Sequence, residues 1–230
     1  MPLPEKFKCG ITNWNYIYDL CRDLAYNVVE SGYVPDAIVA LARGGWFAGR
    51  IMCDFLCISD LISLKVEHYV GTACVGDECR IKYPIIDEMI RSKRVLIVDD
   101  IADTGQSLQY SMKYVSEFEP IEVKTGALQL LFTSEFTPDY YAEYLEDWIW
   151  VVYPWNFIED MTDLIVKMML KERRPGWDLK TIKMGLKHLY SIEPMHFDIA
   201  QPGRLAEILR EMERREIVQF DGIGWKLNEC

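Results

Sequence analysis

A chain of 230 residues has room for one catalytic domain of ordinary size and a small appendage, and half of its residues are hydrophobic, enough for a buried core. The formal net charge of −11 and pI near 4.8 argue against a polyanion-binding surface over the whole molecule and leave room for a local anion site. No stretch reaches the ~18 uninterrupted apolar residues of a membrane helix, and the first residues lack a basic-then-apolar signal pattern, so the expectation is a soluble cytoplasmic protein. Seven cysteines, at positions 9, 21, 53, 57, 74, 79 and 230, form neither paired CxxC motifs nor a Cys/His zinc arrangement. Reduced thiols are expected, with a Cys74–Cys79 disulfide as the alternative.

In chain order, Thr12 is positioned to cap a helix from about Asn13 to Ser31, whose stripe of Trp14, Ile17, Cys21, Leu24 and Val28 reads as core. Residues 37–41 form a short buried strand, Gly44-Gly45 turns the chain, and residues 46–56 read as a helix returning onto the sheet. Residues 61–69 are strand-like, whereas 71–87 are polar, contain Gly and lack sustained periodicity, the pattern of a mobile loop. A strand over 94–98, a helix over 106–118 and strands over 123–132 and 147–152 complete an alternating series, which predicts a doubly wound parallel α/β sheet. A helix over 156–172 ends at Arg173-Arg174-Pro175-Gly176. Beyond it, helices over 179–190 and 202–215 and a hairpin over 218–227 resemble a winged-helix module. The expected division is therefore residues 1–176 and a C-terminal module, residues 177–230.

Residues 95–108 read Val-Leu-Ile-Val-Asp-Asp-Ile-Ala-Asp-Thr-Gly-Gln-Ser-Leu. Val95 to Val98 have the continuous apolar, β-branched character of a strand covered on both faces, and ligands of open α/β sheets collect beyond the carboxyl ends of such strands. Asp99 and Asp100 stand at that end, where paired carboxylates can accept hydrogen bonds from vicinal hydroxyls. Ala102, Asp103, Thr104, Gly105, Gln106 and Ser107 then supply backbone N–H groups and two hydroxyls at a helix N-terminus, a cradle for phosphate.

These fourteen ordered positions closely resemble the phosphoribosyl pyrophosphate (PRPP) signature of type I phosphoribosyltransferases, and the resemblance covers about residues 35–157. It implies that Asp99 and Asp100 bind the ribose, residues 102–107 the 5′-phosphate, and Ala42-Arg43-Gly44-Gly45, with Lys65, the pyrophosphate. It also implies a non-proline cis peptide, expected at Arg43–Gly44, and a Mg²⁺ ion held chiefly by substrate oxygens and water with Asp99 and Asp100 assisting. Asp103 resembles the family carboxylate placed near N7 of a purine. The run Trp148-Ile149-Trp150-Val151-Val152-Tyr153-Pro154-Trp155 looks like the aromatic segment of the 6-oxopurine branch, with Trp150 over the purine, main-chain groups of Val151 on its edge, and Trp148 and Trp155 in packing roles. Ile101, Leu131 and Asn156 complete the implied base contacts.

Two positions depart from that branch. Asn156 stands where the family has an acidic residue, and Leu131 where it has the lysine that donates to O6 of a 6-oxopurine. An unpaired buried carbonyl costs ~1–3 kcal/mol. Leu131 therefore favours adenine, whose amino group needs an acceptor such as a main-chain carbonyl or the hydroxyl of Thr133 or Ser134. The resulting expectation is a dimeric, Mg²⁺-dependent purine salvage enzyme that makes AMP and pyrophosphate from adenine and PRPP. The alternatives are a hypoxanthine, guanine or xanthine enzyme, a pyrimidine or non-nucleotide phosphoribosyltransferase, and a purine- or PRPP-sensing transcription regulator. Against the regulator, residues 177–230 hold eight Lys/Arg and nine Asp/Glu, a balance of −1 that speaks against nucleic acid.

Overall fold

The computed structural model describes residues 5–69 and 78–228. In chain order these form β1 (Cys9–Ile11), α1 (Trp14–Glu30), β2 (Ala37–Leu41), α2 (Gly45–Leu56), β3 (Leu61–Tyr69), β4 (Glu78–Tyr83), a short 3-10 turn (Asp87–Met89), β5 (Arg94–Ala102), α3 (Gln106–Ser116), β6 (Glu122–Leu131), β7 (Tyr140–Leu145) and β8 (Trp150–Val152). The chain continues through α4 (Phe157–Glu172), α5 (Leu179–Tyr190), α6 (Pro194–Ala200), α7 (Arg204–Arg214), β9 (Val218–Phe220) and β10 (Trp225–Leu227). Residue contacts divide it into a central unit, residues 15–148, and a terminal unit, residues 1–14 and 149–230.

The central unit is built on a six-stranded sheet of order β4-β3-β2-β5-β6-β7. Neighbours from β3 to β7 run parallel, and only β4 is antiparallel to its neighbour. The expected α/β sheet is present. Val95, Leu96, Ile97 and Val98 are fully buried at its centre, each contributing about 1.5–3 kcal/mol of hydrophobic stabilisation. With β2, β3, β5 and β6 parallel, the turns after β2 and β5 emerge at one edge of the sheet, where a site can form.

Four details of the sequence reading are corrected. Residues 147–152 do not close this sheet: β8 pairs in parallel with β1 in a separate two-stranded sheet of the terminal unit, and β7 takes the outer position. Both segments carry strand-forming residues, and the choice of partner is made by distant chain. Part of the expected loop over 71–87 is the strand β4, whose exposed Arg80, Lys82 and Tyr83 suit a sheet edge, and residues 71–77 of that loop lie outside the described residues. Trp14 is not core but 48% exposed, although Ile17, Cys21, Leu24 and Val28 are buried as expected. Thr12 does not cap α1; its hydroxyl donates to the Val152 carbonyl at 3.0 Å.

In the terminal unit, α4 to α7 and the antiparallel β9–β10 hairpin bury Phe157, Ile165, Met168, Trp177, Ile182, Phe197, Ile208 and Met212 in one core with Val152. Residues beyond 177 therefore share their core with α4. Asp178 caps α5, accepting from the Thr181 N–H at 2.7 Å. The helix α6 had no sequence expectation, and no helix among the described residues is long and apolar enough to cross a membrane. Cys9, Cys21, Cys53 and Cys57 are free thiols, and burial pushes Cys9 and Cys21 up to about 12. Cys74 and the side chain of Cys79 lie outside the described residues.

Candidate functional site: an acidic strand end packed against glycines

β5 carries Asp99 and Asp100 to the edge of the sheet, where each side chain bonds the following backbone. Asp99 Oδ1 accepts from the Asp100 N–H and Asp100 Oδ1 from the Ile101 N–H, both at 3.0 Å. The turn after β2 packs directly on this pair. A Cβ at Gly44 would overlap the Asp100 carboxyl group, and one at Gly45 would lie 2.5 Å from the Val98 carbonyl oxygen and 2.8 Å from the Asp99 Cα. Gly45 thus meets bare backbone of β5, which cannot move aside for a side chain, whereas Gly44 meets the Asp100 carboxyl, which a side chain there would have to displace. Burial, then the neighbouring Asp100 charge, holds the Asp99 carboxyl well above the usual carboxylate range.

The non-proline cis peptide lies at Ala42–Arg43, one bond earlier than expected. Ala42 is still tied to the sheet through its N–H, which donates to the Leu64 carbonyl at 2.8 Å, so the chain turns immediately after it. The same bond sets Lys65, the next residue of β3, beside the turn. The Lys65 ammonium lies 3.5 Å from Glu67.

Beyond β5, Ala102 is buried and Asp103 and Thr104 are exposed. Gly105 adopts φ 75° and serves as N-cap of α3, so Gln106 and Ser107 begin the helix. Asp103 does not cap α3; its carboxylate accepts from the Thr104 N–H at 2.5 Å. The segment after β6 braces this loop: Thr133 donates its hydroxyl proton to the Asp103 carbonyl at 3.1 Å, and the Glu135 N–H donates to the Thr104 carbonyl at 3.2 Å. Ser134 donates to the Phe136 carbonyl at 2.8 Å. A Cβ at Gly105 would meet Phe136 Cβ at 2.6 Å, so this glycine is needed for space as well as for its positive φ.

Leu131 closes β6 and is 2% exposed, paired in register with Leu145. Two residues earlier, Gln129 is level with Ile101 of β5 and Glu143 of β7. Its amide donates to the Tyr16 hydroxyl at 3.1 Å and to Glu143 at 2.5 Å, and Tyr16 donates to the same carboxylate oxygen at 2.5 Å. Burial, then Glu143, pushes the Tyr16 phenol upward. The sequence reading missed this network; the one signal was a glutamine within an otherwise apolar strand.

Residues 42–45, Lys65, residues 99–107 and Leu131 thus all belong to the central unit, whereas Trp150, Val151 and Asn156 belong to the terminal one. There, Trp150 and Val151 pair with Cys9 and Gly10, and Asn156 precedes α4 without a side-chain capping bond. A cavity of about 450 Å³ lined by Leu61, Ile62, Pro84, Ile85 and Met89 contains none of the expected site residues. Among the described residues no three His, Cys, Asp or Glu side chains form a metal cluster.

The chain matches the family model of the phosphoribosyl transferase domain over residues 10–157. It belongs to the phosphoribosyl transferase domain family. Within this family it is 33% identical over 151 residues to a hypoxanthine-guanine phosphoribosyltransferase of Rattus norvegicus, covering 61% of this chain and 64% of that one. A xanthine-guanine phosphoribosyltransferase of Ruegeria sp. (strain TM1040) is 31% identical over 106 residues, 42% of this chain and 59% of the relative. The chain thus spans about three-fifths of the length of these curated relatives. A crystal structure of a purine phosphoribosyltransferase from Pyrococcus horikoshii Ot3 superposes with a TM-score of 0.56 at 31% identity, covering 64% of this phosphoribosyl transferase chain and 93% of that one.

Proposed function

We propose that this phosphoribosyl transferase domain joins a purine base to PRPP, giving a nucleoside monophosphate and pyrophosphate. The observation that carries the reading is the acidic end of β5 packed against Gly44 and Gly45, beside a braced loop that opens α3. In this reading Asp99 and Asp100 accept from the ribose hydroxyls, and residues 102–107 hold the 5′-phosphate at the N-terminus of α3. Ala42, Arg43, Gly44, Gly45 and Lys65 receive the pyrophosphate. A purine nitrogen forms its bond to C1′ as the bond from C1′ to the pyrophosphate oxygen breaks, and the electron pair of that bond leaves with pyrophosphate. Asp103 stabilises or accepts the proton developing on the imidazole side of the base. Catalysis comes from positioning and leaving-group stabilisation.

Among the described residues Asp99 and Asp100 form no cluster with a third metal-ligating side chain, which fits a Mg²⁺ ion completed by substrate oxygens and water rather than a protein cage. When bound, such an ion supplies positive charge to the departing diphosphate.

Ile101, Leu131, Trp150, Val151 and Asn156 are assigned to the base, and we favour adenine. Leu131 offers no donor to a 6-oxo group. The protons of Thr133 and Ser134 are already given to the Asp103 and Phe136 carbonyls, so these hydroxyls retain lone pairs that accept from an exocyclic amine. The names of the rat and Ruegeria relatives favour a second reading, in which the base is hypoxanthine, guanine or xanthine. We further assign residues 177–230 as an appended module used in homodimerisation or in covering the site, because α7 interleaves Arg204, Arg210 and Arg214 with Glu207, Glu211 and Glu213, a face poorly suited to DNA. A cytoplasmic location goes with this salvage role.

The test is a competition: PRPP and Mg²⁺ with adenine, hypoxanthine, guanine and xanthine together at equal concentration, the monophosphate products identified by mass. AMP as the main product supports the adenine reading. IMP, GMP or XMP as the main product moves the assignment to the second reading, and the absence of any monophosphate overturns both.

A further inference from the structure

The segment that leaves β6 folds back at once in a tight turn, in which the Ser134 N–H donates to the Leu131 carbonyl at 3.0 Å. The turn lies along the loop between β5 and α3. The Thr133 hydroxyl donates to the Asp103 carbonyl at 3.1 Å, and the Glu135 N–H donates to the Thr104 carbonyl at 3.2 Å. Ser134 and Phe136 close on Gly105, where an added Cβ would stand 2.6 Å from the Phe136 Cβ and 2.7 Å from the Ser134 Oγ. Two successive carbonyls of the loop are thus held on the side of the turn.

That has a consequence for the donors of the loop. In a trans peptide the carbonyl of one residue and the N–H of the next point in opposite directions, and neither peptide after Asp103 and Thr104 is cis. Holding the Asp103 and Thr104 carbonyls toward the turn therefore faces the Thr104 and Gly105 N–H groups away from it. The Thr104 N–H already carries an anionic oxygen, Asp103 Oδ1 at 2.5 Å, so the side on which the brace presents this donor is one that receives negative charge. Thr133 itself is exposed, and its hydroxyl joins two loops at the surface, so what the bond fixes is the direction of a peptide plane and not a core.

We propose that Thr133 is a positioning residue for the 5′-phosphate of PRPP. Through the Asp103 carbonyl it sets the peptide plane whose N–H, that of Thr104, a phosphate oxygen takes over from the Asp103 carboxylate. Glu135 fixes the following peptide through its main chain. The inference rests on the reading of residues 102–107 as the phosphate cradle, and it makes the turn after β6 part of phosphate recognition without contact to the phosphate.

The test uses the full chain and calorimetric titration with ribose 5-phosphate, AMP, IMP and magnesium pyrophosphate, for the wild type, Thr133→Val and Thr133→Ser. Thr133→Val keeps the shape of the side chain and removes the donor. It is expected to bind ribose 5-phosphate about fivefold more weakly, the loss of one hydrogen bond, with the same factor for AMP and IMP and unchanged affinity for magnesium pyrophosphate. Thr133→Ser restores the donor and is expected to restore the wild-type affinities. Unchanged binding of ribose 5-phosphate by Thr133→Val, an equal loss for pyrophosphate, a loss confined to AMP, or a Thr133→Ser variant as weak as Thr133→Val overturns the proposal while leaving the PRPP reading in place. A wild-type chain that binds no ribose 5-phosphate overturns both.

Discussion

The acidic end of β5 and the cluster of Lys65, Arg80 and Lys82 around Glu67 on β3 and β4 lie in the same unit and are held together by different physics. Asp99 and Asp100 are like charges side by side, pressed against Gly44 and Gly45 so closely that an added methyl group has no place. Lys65, Arg80 and Lys82 are opposite in sign to the carboxylate they share, stand partly in solvent and are separated by ion-pair distances. The first arrangement fixes atoms at some cost in electrostatic stability, as the proposed site requires. The second fixes charge while leaving side chains able to change partners.

Substitutions at the two places should therefore differ in kind. The largest effect is expected from Asp103→Asn, which removes the proposed proton-handling carboxylate: about a 10²–10⁴-fold fall in kcat, with an unchanged circular dichroism spectrum. Asp100→Asn should fall in the same range through lost ribose contact. Normal turnover in both variants would remove the assigned roles.

Gly44→Ala comes next. Its methyl group must displace the Asp100 carboxyl or the turn itself, and a displacement of ~1 Å is worth about 10²-fold in kcat/KM. A value within threefold of wild type would show that the packing of the turn on β5 is not needed for activity. Leu131→Lys is expected to shift base preference about tenfold toward 6-oxopurines by adding the donor that Leu131 lacks. The ratio of kcat/KM for hypoxanthine over adenine measures it, and an unchanged ratio would detach Leu131 from the base.

The smallest effect concerns stability. Because the Asp99 carboxyl is raised in the folded chain, the folded state binds more protons than the unfolded state between the ordinary carboxylate value and the raised one, and stability falls as pH rises through that window. Asp99→Asn removes the penalty. The variant should melt about 2–4 °C higher than wild type at neutral pH, with the gain shrinking as pH falls toward the ordinary carboxylate range. A gain that is constant across pH would mean that the Asp99 charge is not its source.

Much of the acidic edge was legible in the sequence because its determinants are local: four consecutive buried residues in β5, two carboxylates, then a small polar loop. Gly44 and Gly45 were legible as a turn, although the collision that demands glycine involves residues about fifty positions away. What stayed hidden depends on distant partners. Periodicity assigned Trp14 to the core because it reports a helical face, not whether anything covers that face. β8 has a strand-like sequence but finds its partner in β1, and β4 is polar and bulged, so neither hydrophobic alternation nor length reveals its pairing. The Tyr16–Gln129–Glu143 network and the Thr133 brace join side chains whose proximity is created by the sheet alone.

The most direct measurement is the rate of pyrophosphate release from PRPP, Mg²⁺ and adenine by the wild-type chain and by Asp103→Asn, side by side. The account predicts base-dependent release by the wild type and a loss of at least a hundredfold in the variant. Release that does not depend on any purine base, or that is equal in the two proteins, would contradict it.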